Sequence, residues 1–228
     1  MSEVWNTLVD IQNHLIKKFD ETGVEVQEPG MDKFNKPGWL NRVWTSDSYR
    51  RAHVDVVDAR DTRGLWMMHC CVFPQLHNNA PIFGLDVIAG KNKITGFFHD
   101  YSPTTDPDHP MIYDFGQGAS EMEWNKPREL PEWARAIFTK HMIAAGNVTN
   151  SEELAQILDL SIESTDNYLS LIASFNFQAD DEENKSAQNR YAHYQKQNPH
   201  TPKTMTALGL DEMEVTQFIH ECLFPDLK

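Results

Sequence analysis

The stretch that most constrains the fold runs from residue 50 to residue 101 and is typical of four consecutive β-strands. The predicted strands are Arg50–Asp58, Leu65–Phe73, Pro81–Ala89 and Lys93–Tyr101. Short segments rich in Asp, Asn and Gly separate them, and these residue types favour turns. Because connections this short can join only antiparallel neighbours, the stretch predicts an antiparallel sheet.

The rest of the chain supplies mainly helices. Helical spacing of apolar residues predicts a helix over residues 3–20, and a loop over residues 24–38 leads into a strand. Further predicted elements are the strands Leu40–Thr45 and Met111–Phe115, the short helix Glu132–His141, a long helix capped at Asn150 or Ser151 with a buried stripe reaching Phe175, and helices over residues 180–197 and 203–223. Strands early and helices late indicate an α+β fold. We expect one domain over residues 1–228, a three-layer α/β/α sandwich with the N-terminal helix on one face and the C-terminal helices on the other.

Four titratable side chains interrupt the apolar strands: His53, Asp55, His69 and Asp86. If the second hairpin turns symmetrically about residues 77 and 78, His69 lies directly opposite Asp86. Symmetry about residue 61 in the first hairpin pairs His53 with His69 and leaves Asp55 opposite Met67. Residues two apart in a strand share a face. The register therefore predicts one patch of imidazole and carboxyl groups on one face of the sheet.

Such a patch suits proton transfer. A single His or Asp in a strand is usually exposed to solvent or satisfied by a hydrogen bond. Two carboxyls and two imidazoles together in an apolar sheet are costly to bury without a purpose, and they indicate a functional site. Burial raises the pKa of a carboxyl and neighbours tune that of an imidazole, so the two can exchange protons near neutral pH.

Composition narrows the partners. A net charge of −14 argues against nucleic acid and anionic membranes as binding partners. The three cysteines form no disulfide framework, no secretion signal or membrane span is visible, and we expect a cytoplasmic protein. No His and Cys spacing typical of a metal site and no Gly-rich phosphate loop occurs, so we expect neither a metal nor a nucleotide.

Several motifs resemble one known family. Met68–Pro74, Pro81–Gly90 and Pro127–Trp133, followed by Tyr191, Gln195 and Asn198, are similar in content and spacing to the ferredoxin-dependent bilin reductases. The resemblance covers roughly residues 40–225. It implies an α/β/α sandwich that binds biliverdin IXα between the sheet and the C-terminal helices. It also implies no bound cofactor, with single electrons arriving from reduced ferredoxin while the protein supplies protons.

The resemblance also implies roles for individual residues. Asp86 corresponds to the family's central catalytic Asp, and His69 to the His that shares a proton with it. Asp55 falls where the phycocyanobilin-forming branch has a Glu that protonates a vinyl group. The remaining expected contacts to the substrate are His53 as a positioning group and three residues near the end of the penultimate helix, Gln195, Asn198 and His200.

Departures from the phycocyanobilin-forming branch point to a different product. Asp55 is one methylene shorter than Glu and can fail to reach the vinyl group. Pro199 and His200 stand where relatives have Asp and a propionate-binding Lys, and Gly146 where they have an Arg for the other propionate. These changes resemble a divergent, phage-associated branch. We therefore expect a four-electron reduction of biliverdin to phycoerythrobilin, with phycocyanobilin as the alternative product.

Two other classes of protein remain open. A bilin or haem carrier would bind in the same pocket without turnover, although a carrier needs no buried proton donor. Acid–base hydrolysis by paired carboxylates would need a polar cleft, which the apolar flanks disfavour. We expect a monomer. Because ferredoxins are acidic, a local basic patch is needed for docking, with candidates Arg50, Arg51, Arg60, Arg63, Lys91 and Lys93.

Overall fold

A seven-stranded antiparallel sheet forms the centre of the computed structural model, which describes residues 2–174 and 178–228. The strands lie side by side in chain order. They are β1 (Val24–Val26), β2 (Trp39–Thr45), β3 (Tyr49–Ala59), β4 (Leu65–Pro74), β5 (Ile82–Gly90), β6 (Lys93–Ser102) and β7 (Ile143–Ala145). The predicted antiparallel sheet is confirmed, and β3 to β6 begin and end within one residue of the predicted bounds. The predicted loop over residues 24–38 contains β1.

Helices cover both faces of the sheet. They are α1 (Glu3–Thr22), α2 (Arg60–Arg63), α3 (Pro110–Ser120), α4 (Glu132–Arg135), α5 (Ser151–Ser174), α6 (Asp181–Gln195), α7 (His200–Ala207) and α8 (Glu212–Gln217), which continues into a π-helix, Phe218–Leu223. Helices α1, α3 and α5 pack on one face, and α6, α7, α8 and the π-helix on the other. The α+β class is confirmed. The long helix α5, however, lies beside α1 rather than with the other C-terminal helices.

Side-chain oxygens fix where the two long helices begin. Ser2 Oγ accepts a hydrogen bond from the backbone N–H of Trp5 at 3.2 Å. Asn150 Oδ1 accepts one from the backbone N–H of Glu153 at 2.7 Å. Each bond satisfies one of the donors that the first turn of a helix leaves free. Asn150 is one of the two capping residues that the sequence predicted for α5, whereas the cap at Ser2 was not predicted.

Alternation along the central strands decides which residues reach which helices. In β3, Ala52, Val54 and Val56 point to the core under α1 and α5. His53 and Asp55 alternate with them and therefore point to the face covered by α6 to α8. The same alternation in β4 and β5 sends His69 and Asp86 to that face, which makes it the face that carries the candidate site.

The first hairpin differs from its predicted register. Residue pairs Ala59↔Leu65 and Asp55↔His69 show that the turn is centred on residue 62 rather than 61. The connection is a one-turn helix, α2, closed by Gly64 at φ +59°, a conformation that glycine adopts readily. The predicted pairing of His53 with His69 is therefore wrong by two residues. Because a shift of two keeps every side chain on its face, the predicted patch survives.

Two predictions between the sheet and α5 are wrong. Met111–Phe115, predicted as a strand, lies inside α3, where Pro110 occupies the first turn and the His109 ring nitrogen Nδ1 accepts from the Met111 N–H at 3.2 Å. Proline is favoured at this position because its missing N–H would be unpaired anyway. The predicted helix Glu132–His141 ends after one turn, at Arg135.

The C-terminal region is broken into short helices. Gly209, which the sequence marked as a possible interruption of a helix over residues 203–223, has φ +100° and separates α7 from α8. The helix predicted over residues 180–197 is α6, capped by Asp180. Phe175, placed in the buried stripe of α5 by the prediction, lies outside the described residues. Within the described ranges no helix combines the length and apolar character needed to cross a membrane.

Candidate active site

Three titratable side chains form a row across the middle of the sheet. Asp55 of β3 is paired with His69 of β4, and His69 is paired with Asp86 of β5. The three share the face covered by α6 to α8. Because neighbouring strands lie about 4.8 Å apart, the backbones of the two Asp residues are about 10 Å apart with the imidazole between them. The predicted opposition of His69 and Asp86 is confirmed.

A cavity of about 110 Å³ lies over this row. The sheet contributes Asp55, His69 and Asp86, and the helical side contributes three predicted residues, Gln195, Asn198 and His200. The remaining lining residues are mostly apolar: Met67, Met68, Ile88, Phe98, Thr201, Thr204, Met205, Leu223 and Phe224. Pockets for ligands of drug size hold about 300–1,000 Å³. A ligand as large as a tetrapyrrole can enter only if the helical side moves away from the sheet.

Both carboxyls of the row hold their proton unusually tightly. Burial raises the pKa of Asp86 to about 7. Burial also raises the pKa of Asp55 to about 7, against the opposing effect of a hydrogen bond from Trp39. Removing water from a carboxyl disfavours its charged form. Each group can therefore hold a proton at neutral pH and give it up to a substrate.

The imidazole between the carboxyls is neutral. Burial lowers the pKa of His69 to about 3, and the positive charge of Arg51 acts in the same direction. His69 cannot store a proton at neutral pH, but one ring nitrogen donates and the other accepts. It is suited to pass on a proton or to hydrogen-bond a ligand.

Two side chains of the row, His69 and Asp86, have polar atoms without a hydrogen-bond partner in the described parts of the chain. Among residues 2–174 and 178–228, none donates a hydrogen bond to Asp86, and the buried Nδ1 of His69 has no partner. Most buried polar groups in proteins are hydrogen-bonded, so each exception requires a reason. A polar ligand in the cavity would supply the missing partners.

His53 stands apart from the row. It is paired with Cys71 rather than His69, and it does not line the cavity. Its Nε2 donates to Asn41 Oδ1 at 3.0 Å, since the amide nitrogen of Asn41 already donates to the Phe34 carbonyl at 3.2 Å. Burial lowers the pKa of His53 well below its usual value. The ring lies 6.1 Å from that of His69, so its contact with the site is through that imidazole.

The helical residues of the site come from the end of α6 and the start of α7. Gln195 Nε2 donates to the Tyr191 hydroxyl at 2.8 Å, and Asn198 Oδ1 accepts from the backbone N–H of His200 at 3.0 Å. Pro199 follows directly and ends the helical path, because the residue before proline avoids helical geometry. The amides are thus held at the cavity mouth by local bonds, and His200 is exposed.

A C-terminal aromatic ring closes the cavity over the imidazole. Phe224 packs edge-on against His69, with ring centroids 5.3 Å apart and planes at 80°. The segment that follows is tied to α6 by two bonds between Asn189 and the Leu227 backbone, at 3.0 and 2.8 Å. Lys196 and Asp226 add an ion pair of 2.7 Å. Opening the site for a large ligand therefore means moving this segment or the helices beside it.

Two residues of the site were missed by sequence reasoning. Trp39, at the start of β2, donates its indole N–H to Asp55 Oδ1 at 2.6 Å. Phe224 follows the π-helix. Neither is near the row in sequence, and only the register of β2 and the break at Gly209 bring them there. The signal available was weak, since each is one of many aromatic residues in a chain with 11% aromatics.

The six basic residues proposed for docking do not form one patch. Arg51 is buried, with a two-bond ion pair to Glu28 at 2.7 Å and a bond to the Cys222 carbonyl at 2.6 Å. Arg50 is bonded to Gln188 at 2.6 Å and stacks on Phe73. These two lie at the start of β3, about 30 Å of strand away from the others at its far end. The six candidates therefore fall into two groups, and a docking patch drawn from them stays a prediction.

The remaining four basic residues lie near the first and third hairpins. Arg60 is paired with Asp58 at 2.7 Å, and Lys93 donates to Asn147 at 2.9 Å. Arg63 and Lys91 are exposed.

In the described parts of the chain, no cluster of three or more His, Cys, Asp or Glu side chains is arranged to hold a metal ion.

Fold and site together correspond to a known class. Residues 5–225 match the family described as ferredoxin-dependent bilin reductase, and the chain belongs to that family. Within it, the chain is similar to a phycocyanobilin:ferredoxin oxidoreductase from Synechococcus sp. (strain CC9605), with 33% identity over 99 residues. A second such protein, from Synechococcus sp. (strain CC9902), is 28% identical over 100 residues.

Those matched stretches cover 43% and 44% of this chain, and they span only 39% and 40% of the two curated relatives.

The matches to solved structures cover a larger share of this chain. PcyX is 34% identical with a TM-score of 0.73, and the match covers 97% of this chain and 99% of that one. The tomato phytochromobilin synthase in complex with biliverdin is 14% identical with a TM-score of 0.72, covering 92% of this chain and 80% of that one. The second likeness concerns the fold alone.

Proposed function

We propose that this protein is a ferredoxin-dependent oxidoreductase that reduces biliverdin IXα by four electrons to a phycobilin, with phycoerythrobilin as the product. The observation that carries the proposal is the row of Asp55, His69 and Asp86, two carboxyls with raised pKa values around a neutral imidazole, facing a cavity in a chain of the bilin reductase family. The tomato enzyme of the same fold was solved with biliverdin bound, which supports a bilin as the ligand.

Asp86 is the central proton donor in this proposal. Four electrons delivered one at a time by reduced ferredoxin make the bilin more basic, and four protons must follow to complete two double-bond reductions. Asp86 has the raised pKa and the free carboxyl oxygens that such a donor needs. His69, neutral and opposite Asp86 on the adjacent strand, relays the proton that restores Asp86 by accepting at one ring nitrogen while it donates from the other.

Asp55 is the second donor and the residue that decides the product. Its carboxyl also has a pKa of about 7, and it lies on the far side of His69 from Asp86. A donor must come within about 2.6–3.2 Å of the atom it protonates, or act through one water. Because Asp is one methylene shorter than the Glu of the phycocyanobilin-forming branch, protonation of the vinyl group fails and phycoerythrobilin results.

The remaining contacts hold the bilin. Gln195 and Asn198 offer amide groups at the cavity mouth, and His53 supports the orientation of His69. His200, exposed at the rim, is the candidate partner for one propionate. Beside Gly146, the guanidinium of Arg128 fills the space that a side chain would occupy and lies 5.6 Å from the ring of Phe98, a lining residue. It is the candidate partner for the other propionate.

Anaerobic turnover tests the proposal. Purified protein is mixed with biliverdin IXα and a ferredoxin-reducing system, the visible spectrum is followed, and the product is identified by chromatography against standards. We expect the spectrum to evolve and phycoerythrobilin to accumulate. Phycocyanobilin as the main product would overturn the product assignment, and a bilin spectrum that never changes would leave the carrier function.

The two other classes fit the site less well. A carrier gains nothing from carboxyls kept protonated by burial, because they cost stability without adding to binding. Hydrolysis by paired carboxylates needs one ionised group and a polar cleft, whereas both Asp residues have raised pKa values beside Met67, Ile88 and Phe98. The single-domain organisation, the monomeric state and the cytoplasmic location stay predictions.

A further inference from the structure

We propose that Trp39 is the positioning residue of the second carboxyl of the row: its indole N–H holds Oδ1 of Asp55, which leaves Oδ2 for the cavity and favours the ionised form of this group. This inference rests on the proposed function, since it concerns one of the two proposed donors. It assigns a role to a residue outside the family motifs on which the sequence analysis relied.

The geometry of the contact is specific. Trp39 Nε1 lies 2.6 Å from Asp55 Oδ1, and both side chains are buried, with 5% and 2% of their surface exposed. Trp39 is paired with Val57, one position along the same face from the Asn41–Asp55 pair. Such diagonal neighbours are within reach of a long aromatic side chain. The bond therefore follows from the register of β2 and β3 and not from a chance rotamer.

Packing fixes the direction of the indole. Its ring lies 5.0 Å from Phe218 in an edge-on arrangement and 6.0 Å from Phe34. The indole nitrogen can donate a hydrogen bond but cannot accept one. Its bond therefore stabilises the ionised carboxylate of Asp55 more than the protonated acid. Within the described residues Oδ2 of Asp55 receives no other hydrogen bond, and that oxygen remains for the cavity.

Asp86 provides the contrast. It lies on the same face, two strands away, and burial raises its pKa as it does that of Asp55. None of the described residues donates a hydrogen bond to it. The two acids thus differ by one charge-assisted bond, which is among the stronger kinds in proteins. The bond from Trp39 therefore favours the ionised form of Asp55, has no counterpart at Asp86, and opposes the effect of a charge on Asp86, which raises the pKa of Asp55.

Other charged or titratable groups lie near this contact. They are His69 and Asp86 on the neighbouring strands, Cys222 of the π-helix, His200 at the cavity rim, and Lys36, whose Nζ lies 5.3 Å from the centre of the Trp39 ring. His53 lies on the same strand as Asp55, and Arg51, paired with Glu28, acts on His53 and His69. Water admitted beside a smaller ring would lower the pKa of Asp55, whereas loss of the bond raises it, so an upward shift identifies the bond.

The test is the titration of Asp55 in bilin-free protein, followed by carbon NMR of labelled aspartate and assigned with Asp55→Asn. We expect Trp39→Phe, which keeps an aromatic ring against Phe218, to move that titration about one pH unit higher, since the charged form of Asp55 loses a hydrogen bond. Trp66→Phe is the matched control: its buried Nε1 has no partner within the described residues, and it lies on the opposite face of the sheet. An unmoved titration in Trp39→Phe would overturn the proposal.

A measurement on the unaltered protein covers the case in which Trp39→Phe does not fold. The indole N–H resonance of Trp39 should shift with pH at the midpoint of Asp55 and lose that dependence in Asp55→Asn. A resonance independent of pH would overturn the proposal. Neither readout needs turnover, so a positive result without bilin reduction would refute the proposed function and leave the Trp39–Asp55 coupling standing.

Turnover then tests the consequence for the reaction. Trp39→Phe should shift the part of the alkaline limb that depends on Asp55 about one unit higher, because Asp55 stays protonated to higher pH, and should leave the part set by Asp86 in place. In an Asp55→Asn background the same change should have no further effect on the profile. An equal shift in both backgrounds would mean that Trp39 acts by some path other than Asp55, contrary to the proposal.

Discussion

Asp86 faces His69 directly across β4 and β5, and neither side chain is hydrogen-bonded to another part of the described structure. One is a carboxyl with a pKa raised to about 7, the other an imidazole with a pKa lowered to about 3. Near neutral pH the pair can therefore consist of a protonated carboxyl and a neutral imidazole, rather than a carboxylate and an imidazolium. It can exchange a proton with a ligand without creating two buried charges at once.

The length of the side chain at residue 55 should control the product. Asp55→Glu extends the carboxyl by one carbon–carbon bond, about 1.5 Å, towards the end ring of the bilin. We expect the share of phycocyanobilin to rise at the expense of phycoerythrobilin, measured by chromatography after anaerobic turnover. Asp61→Glu, in the exposed turn of the same hairpin, is the control and should leave the distribution unchanged. An unchanged product from Asp55→Glu would contradict the role given to this residue.

The stability of the protein should report the raised pKa of Asp86. Between its ordinary value of 3.8 and about 7, the unfolded chain releases a proton that the folded protein keeps. This group therefore lowers stability as the pH rises through that window, and its stabilising contribution is complete only below it. Asp86→Asn removes the effect.

We compare the melting temperature of Asp86→Asn with that of the unaltered protein at two pH values. The difference, variant minus unaltered, should be several degrees larger at pH 8 than at pH 4. One kcal/mol corresponds to about 2–4 °C in a chain of this size. Thermal unfolding followed by circular dichroism measures the difference. Comparing two pH values cancels any fixed cost of the amide. Asp61→Asn is the exposed control, and a difference that does not change with pH would argue against a buried protonated carboxyl.

Phe224 should limit the entry of the bilin. Its ring covers His69 and lines a cavity of about 110 Å³. Phe224→Leu removes part of this cover at a modest cost in stability, so biliverdin should associate faster in stopped-flow absorbance measurements. Phe83→Leu makes a comparable change in the core on the opposite face, against Tyr101 and Tyr168, and should not alter association. Equal association rates in all three proteins would show that entry does not depend on Phe224.

Much of the sheet and the central pair could be predicted from the sequence because the information is local. Turn residues mark each strand end, and the second hairpin turns symmetrically, so the pairing of His69 with Asp86 follows from counting. The register of the first hairpin could not be obtained by such counting. Its turn residues form the one-turn helix α2, which moves the centre by one residue and the register by two.

Other features depend on tertiary contacts that no local pattern reports. The apolar run Met111–Phe115 suits a strand or a buried helix, and the cap at His109 with Pro110 decides for the helix. The bond between Trp39 and Asp55 needs the register of two strands before it can be seen. The Phe224 contact needs the course of the chain after Gly209, which changes direction at a positive φ.

A single-turnover experiment with Asp86→Asn tests the central claim most directly. The variant is loaded with biliverdin IXα, reduced ferredoxin is added without oxygen, and the spectrum and product are followed beside the unaltered protein. We predict that biliverdin still binds, because the amide keeps the shape of the carboxyl, and that phycobilin formation slows by about 10²-fold or more, the usual contribution of a positioned proton donor. Formation of phycobilin by Asp86→Asn at the rate of the unaltered protein would contradict the account.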